Sequence, residues 1–336
     1  MSVRCIVLGL VPTVLLGACS VATVPPAEPS RPAQPLPPEV ERRFDYVERG
    51  APIASWTCTP THDDERYAIY KVDGHVTLKG DNSPIAVEAE YWRSKTGGAR
   101  GPAVVITPIL GGGNDIARLV AREFAEAGMH GVIVWRGIKV LQPQWSEDEV
   151  ELALRRGIVA RRRVIDWLES RPEVDPRRIS AFGISMGGIA TAVLAPVEPR
   201  VHSAVIALAG GDLASVVMRS DERRVQEFKK ARLLASKLGP ADLEKKIREA
   251  LIDDPINLAP YADPSRFLMF VARNDTTVPT DNQLRLRQAL GNPRAFDMPT
   301  SHYTTMAYTP FVRARSTTWL LERMREPNPR VPELVR

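Results

Sequence analysis

The 336-residue chain has few of the residues that build cross-links and metal clusters: three cysteines and five histidines. Cys5 and Cys19 lie close to the N-terminus, and Cys58 stands alone in the rest of the chain, which excludes an internal disulfide framework. A lone Cys58 reads as a small apolar residue rather than a reactive thiol. No apolar run reaches the ~20 residues that a bilayer-spanning helix needs. The formal net charge is only +5, and no compact basic run is interleaved with aromatics, so nucleic acid is not an expected partner. The triple glycine at 111–113 lacks both the G-x-G-x-x-G spacing and a G-K-[ST] ending, which argues against a phosphate cradle there. No internal repeat is visible. The 44% hydrophobic share over this length is enough for one large core.

The N-terminus is distinctive. Arg4 is followed by an apolar run from Cys5 to Leu16 and then by Gly17, Ala18 and Cys19. A basic start, a short apolar stretch and small residues describe a cleaved export signal, here residues 1–18. The ending Leu16-Gly17-Ala18-Cys19 resembles a bacterial lipobox. That resemblance implies a lipid-modified Cys19 at the mature N-terminus and membrane association through the anchor. Ser20 in place of a retention aspartate points to the cell envelope on the periplasmic side of an outer membrane. Residues 24–38 then hold seven of the 29 prolines. Such a segment is expected to be extended and solvated, so 19–44 reads as a tether.

The folded domain is expected over 45–325, with 326–336 as a C-terminal tail. RYAIYKVDG, HVTLKG and IAVEAEYW are β-rich segments broken by Gly and Asp turns, an antiparallel start. After Gly101 continuous apolar runs (AVVIT, GVIVW, RRISAFGI, AVIALAG, RFLMFVA) alternate with amphipathic stretches. Buried strands alternating with helices imply an α/β fold with a mainly parallel, doubly wound sheet. The long stretch between AVIALAG and RFLMFVA interrupts the alternation. Val225, Phe228, Ala231, Leu234 and Leu238 recur at helical spacing, as do Leu243, Ile247 and Leu251 beyond Gly239-Pro240. This predicts a two-helix cap insertion over 213–262.

Ser185 lies in GISMG, between a predicted buried strand and a predicted helix. A serine there sits in a tight turn that lifts its hydroxyl over the sheet, beside unpaired helix N-terminal N–H groups. Gly183 and Gly187 allow strand and helix to approach closely. A serine hydroxyl needs a base. His62 and His75 lie in the antiparallel start, His130 precedes a strand and His202 opens one, which leaves His302 in the loop PTSHYTT. The base needs a carboxylate to fix its tautomer. Asp275, just past RFLMFVA, is preferred; Asp212, just past AVIALAGG, is the competitor. One oxyanion donor would be the N–H of Met186 and the other would come from the loop TPILGGGN.

GISMG, NDTTVP (similar to D-x-x-V-P) and the SHYT loop together resemble the α/β-hydrolase superfamily over about residues 85–325. The branch resembled is that of the dienelactone-hydrolase and prolyl-oligopeptidase-like esterases. Where many members have His-Gly, this chain has Pro108-Ile109, so the resemblance implies the amide of Leu110 as the second donor, with Ile109 as the alternative. Many members have Gly where this chain has Ser301. The implied activity is a serine hydrolase cleaving small carboxylic esters through an acyl-enzyme, with no metal or organic cofactor. Acyl transfer or peptide hydrolysis on the same triad, and a non-catalytic binding protein with this fold, are the alternatives.

Overall fold

The computed structural model describes residues 20–28, 31–53, 55–81, 83–110, 114–135 and 141–332. The signal, Cys5, Cys19 and Gly111–Gly113 lie outside the described residues. The strands are β1 (Ala22–Val24), β2 (Thr57–Asp63), β3 (Tyr67–Val76), β4 (Ile85–Ser94), β5 (Gly101–Thr107), β6 (His130–Val134), β7 (Val174–Ile184), β8 (Val201–Ala207), β9 (Phe267–Ala272) and β10 (Arg294–Met298). The α-helices are α1 (Pro38–Arg43), α2 (Asn114–Glu126), α3 (Glu147–Glu169), α4 (Met186–Val197), α5 (Leu213–Arg219), α6 (Arg223–Ser236), α7 (Pro240–Ala250), α8 (Pro255–Leu258), α9 (Thr280–Ala289) and α10 (Thr309–Arg323).

All ten strands form one sheet, in the order β1-β10-β9-β8-β7-β5-β6-β4-β3-β2. From β10 to β6 the neighbours are parallel; β4, β3 and β2 add antiparallel at one end and β1 at the other. Parallel neighbours need crossovers, and these cover both faces with helices. Every residue of β6, β8 and β9 is accordingly buried. One face packs against α3, α4, α9 and the helices between β8 and β9, the other against α2 and α10. The chain steps from β5 to β6, then returns across β5 to β7 and onward. The carboxyl ends of β5 and β7 flank this reversal, where open α/β sheets bind ligands.

Three segments depart from the sequence reading. Gly74 does not break β3: it pairs with Val87, and the ring of Trp56 lies where its Cβ would be. β2 has no apolar alternation, and it pairs only with β3, with a register shift between Pro60 and His62. Proline confines such a strand to an edge. Third, the expected solvated tether is not solvated throughout. β1 pairs with β10, Ala27 N donates to Asn292 O at 2.9 Å, and Arg31 donates to the carbonyls of Ala259 (3.0 Å) and Pro260 (2.9 Å). Proline-rich chain has few donors but keeps every carbonyl, so the domain edge satisfies it: Arg287 donates to Pro25 O at 3.0 Å. Val40 and Phe44 are buried in the core, so the folded unit starts before Asp45. At the other end, the expected tail packs back through Asn328, whose Nδ2 donates to Pro199 O at 2.9 Å.

Four helices, α5 to α8, lie between β8 and β9, rather than two. The amphipathic pair is α6 and α7; the Gly239-Pro240 break starts α7, with proline at its first turn. Buried charges dock this insertion on α3. Glu147 accepts from Arg232 of α6 at 3.0 and 3.1 Å and pairs with Lys246 of α7 at 3.2 Å. One helical turn on, Glu151 accepts from Arg155 (2.7 Å) and from the N–H of Asp253 (3.2 Å). Asp253 in turn pairs with Arg43 and Arg155, both at 2.8 Å. Burial, and then the hydrogen bond and charge of Asp253, push the Glu151 carboxyl from the usual 4.5 up to about 8.

The folded chain therefore keeps the proton of Glu151 to higher pH than the unfolded chain does. Stability should fall as pH rises from the usual carboxylate range to about 8. Glu151→Gln keeps a neutral side chain at every pH. Its melting temperature, followed from pH 5 to 9, should decline less than that of the wild type. Parallel curves would remove this carboxyl as the cause.

Candidate active site

Ser185 directly follows β7 and caps α4 with φ 56° and ψ −124°. Such backbone costs about 1–3 kcal/mol and persists only where its surroundings impose it. Here Ser185 N donates to Ala207 O at 2.8 Å and Ser185 O accepts from Ile189 N at 3.0 Å. The flanking glycines are steric necessities. A Cβ on Gly183 would lie 2.1 Å from Gly187 O, and one on Gly187 would lie 2.1 Å from Thr107 O. Small residues thus let α4 start directly against β5 and β7, and the hydroxyl is left at their carboxyl ends.

His302 Nε2 lies 3.0 Å from Ser185 Oγ, and its Nδ1 lies 2.7 Å from Asp275 Oδ2. An ionised carboxylate only accepts, so Nδ1 carries the proton and Nε2 is free to accept from the serine hydroxyl. Pairing continues beyond the ends of β9 and β10. Arg273 N donates to Met298 O, and Asn274 N to Thr300 O, both at 3.0 Å. This carries the Asp275 and His302 loops side by side. The histidine loop is braced by Thr305 Oγ1 donating to Ser301 O at 2.8 Å.

Asp275 is buried and fully engaged. Its Oδ1 accepts from Thr277 N and Val278 N, both at 2.9 Å, and its Oδ2 accepts from Gln283 Nε2 at 2.8 Å as well as from His302. Gln283, one turn into α9, also donates to Val278 O at 2.8 Å and accepts from Ala272 N at 3.2 Å. The sequence reading missed Gln283. Its signal was the question of what satisfies a buried carboxylate at a strand end.

Asp212 stands elsewhere. It caps α5 in the left-handed region (φ 54°) and its carboxylate takes Arg248 and Arg285, each at 3.0 Å. The structure brings Asp275, not Asp212, to His302. The other histidines are structural or peripheral. His130 Nδ1 accepts from Ser94 N at 3.0 Å, and burial lowers its basicity. Burial, aided by nearby arginines, lowers His202 to about 4. His62 is exposed beside Asp64. Cys58 lies on β2, and burial pushes its thiol up, the opposite of an activated nucleophile.

A cavity of about 270 Å³ opens on Ser185 and His302, with Met186, Ile109 and Leu110 on its wall. Met186 is the first residue of α4, so its N–H is one that the helix leaves unpaired. Leu110 O accepts from Arg224 of α6 at 3.0 Å, which ties its loop to the insertion. Asp221, between α5 and α6, accepts from Thr276 Oγ1 (2.5 Å) and Thr277 Oγ1 (2.8 Å) and joins the insertion to the Asp275 loop. Among the described residues, no group of three or more His, Cys, Asp or Glu side chains is arranged to hold a metal ion. Nor is any described helix long and apolar enough to cross a membrane.

A buried carboxylate, an imidazole and a strained serine in one hydrogen-bonded line, at the carboxyl edge of a mainly parallel sheet, define the architecture. This is the α/β-hydrolase fold. The sequence profile of the Prolyl oligopeptidase family matches residues 161–302, a span that contains Ser185, Asp275 and His302. Comparison with curated proteins gives no match. Among solved structures, acetyl xylan esterase 1 from Thermoanaerobacterium sp. JW/SL YS485 superposes with a TM-score of 0.58 at 17% identity, over 84% of this chain and 99% of its own. The acetyl xylan esterase from Paenibacillus sp. R4 gives 0.57 at 17% identity, over 82% of this chain and 92% of its own. Est1E from Butyrivibrio proteoclasticus gives 0.53 at 14% identity, over 76% and 99%. The chain thus shares its fold with solved proteins described as esterases, and the profile match over residues 161–302 together with the site geometry supports a serine hydrolase.

Proposed function

We propose that this α/β-hydrolase cleaves carboxylic esters through an acyl-enzyme. The observation that carries the reading is the line Ser185 Oγ–His302 Nε2 (3.0 Å) and His302 Nδ1–Asp275 Oδ2 (2.7 Å) opening on a cavity. Ser185 Oγ attacks the ester carbonyl as His302 takes its proton. The N–H groups of Met186 and Leu110 receive the oxyanion. His302 then gives the proton to the departing alkoxide, which leaves as alcohol. A water attacks the acyl-serine by the same route and releases the acid. Asp275 orients His302 and stabilises its imidazolium. Turnover of p-nitrophenyl butyrate by the full chain, with a fluorophosphonate mass adduct on Ser185, is the test. Neither turnover nor adduct would end the proposal. Peptide hydrolysis on the same triad is a second reading, favoured by the description of the matching family. Product analysis on esters and peptides separates the two.

The proposal includes a lipid anchor on Cys19, in the bacterial envelope, on the strength of the run Leu16-Gly17-Ala18-Cys19. β1 begins at Ala22, three residues beyond. At most ~3.6 Å per residue, an anchored Cys19 would hold the β1–β10 edge within about 10 Å of the headgroups. Cys19→Ala should move the protein from the membrane fraction to the soluble fraction. High salt should not, because the acyl chains and not the mild positive charge would do the holding. A mature N-terminus mapped to an unmodified residue other than Cys19 would contradict the anchor.

A further inference from the structure

By the elements that line it, the cavity at Ser185 divides into two sides, or limbs. The insertion limb is lined by Val217 of α5, Val225 and Phe228 of α6, Ile247 of α7 and Leu154 of α3. The other is lined by His302, Tyr303 and Met306, the last two with exposed side chains. The carboxylates on the insertion limb are occupied. Glu147 is held by Arg232 and Lys246, and Glu222 accepts from the N–H groups of Arg224 (2.5 Å) and Val225 (3.0 Å). Such a wall leaves the hydroxyls of a saccharide without partners, which is costly, and favours hydrocarbon.

Chemistry decides which part of an ester enters which limb. His302 Nε2 must reach the departing oxygen to protonate it, so the alcohol portion occupies the limb that His302 lines. The acyl portion, bonded to Ser185, is left the insertion limb. Counted as room for water-sized groups at ~10–15 Å³ each, about 270 Å³ holds on the order of twenty heavy atoms, shared between the acyl and alcohol portions of the ester. From this geometry we infer that the substrate is an ester of a straight, medium-length aliphatic acid, about six to ten carbons, and that the insertion limb binds its chain. This rests on the ester-hydrolase reading.

The test is a p-nitrophenyl ester series from acetate to palmitate on the full chain. Each methylene that enters the limb should raise kcat/KM by up to about fourfold, the equivalent of ~0.8 kcal/mol per buried methylene. We expect octanoate to exceed acetate at least tenfold, and kcat/KM to fall from laurate onward. Acetates of alcohols of increasing length should show no such rise. Val217→Trp, which fills the limb, should lower the octanoate-to-acetate ratio at least tenfold. Val225→Phe, on a different helix, should lower it in the same direction if Val217→Trp does not fold. Fluorophosphonate labelling of Ser185 reports on folding in each. Activity highest on acetate and declining with each carbon would overturn the inference and leave the ester-hydrolase reading standing. A rise in the alcohol series alone, or folded limb variants with an unchanged chain profile, would overturn it equally. No hydrolysis at any length would end both.

Discussion

Ser185→Ala is expected to reduce ester turnover by several orders of magnitude, up to ~10⁶, while leaving the melting temperature close to that of the parent. The change removes one oxygen from a side chain already buried against His302. It leaves intact the close contacts of Gly183 and Gly187 that fix the turn. A single lost hydrogen bond is worth about 1 kcal/mol, small beside the loss of the attacking atom. His302→Ala should be about as damaging, and the double variant scarcely worse, because the two side chains act as one unit. Residual turnover would come from the Met186 and Leu110 amides and from binding alone. The fluorophosphonate adduct should vanish with Ser185→Ala. Full activity in that variant would reduce GISMG to a tight turn and end the enzyme reading.

Ser185 was legible because three scales agree on it: an apolar strand before it, small residues around it and a helix after it. The crowding at Gly183 and Gly187 is the physical origin of that pattern. His302 followed by elimination, since five histidines leave few candidates. The choice between Asp275 and Asp212 was not legible, because both follow buried strands. It depends on long-range pairing. The loops of β9 and β10 stay bonded past Ala272 and Met298, whereas Asp212 turns away through a left-handed residue into a helix cap. The N-terminal segment shows a related gap. Its prolines indicate extended chain, but not that the β10 edge and Arg287 would receive it. Composition describes the backbone a segment can adopt; the partner that satisfies its polar groups is a tertiary property.

Asp275→Asn should cut turnover by up to ~10⁴ and lower stability by about 1–3 kcal/mol, because its NH₂ meets the buried Nε2 donor of Gln283. The local donors dictate how the amide must sit. Oδ1 receives two backbone N–H groups, from Thr277 and Val278. Asparagine has a single acceptor oxygen, and those two donors claim it. Its NH₂ is then left at the Oδ2 position, facing His302 Nδ1 and the Nε2 of Gln283. A donor facing Nδ1 selects the tautomer with the proton on Nε2, which cannot take the proton of Ser185. Asp212→Asn is the matched control. Asparagine tolerates the left-handed backbone there and still caps α5, so only its two arginine pairs weaken. Its kcat should stay within a few-fold of the parent. The loss in Asp275→Asn should ease at high pH, where hydroxide can replace the missing base. Should Asp212→Asn abolish turnover while Asp275→Asn keeps it, the acid would lie on the β8 side, and the 2.7 Å contact between Asp275 and His302 would have no part in the reaction.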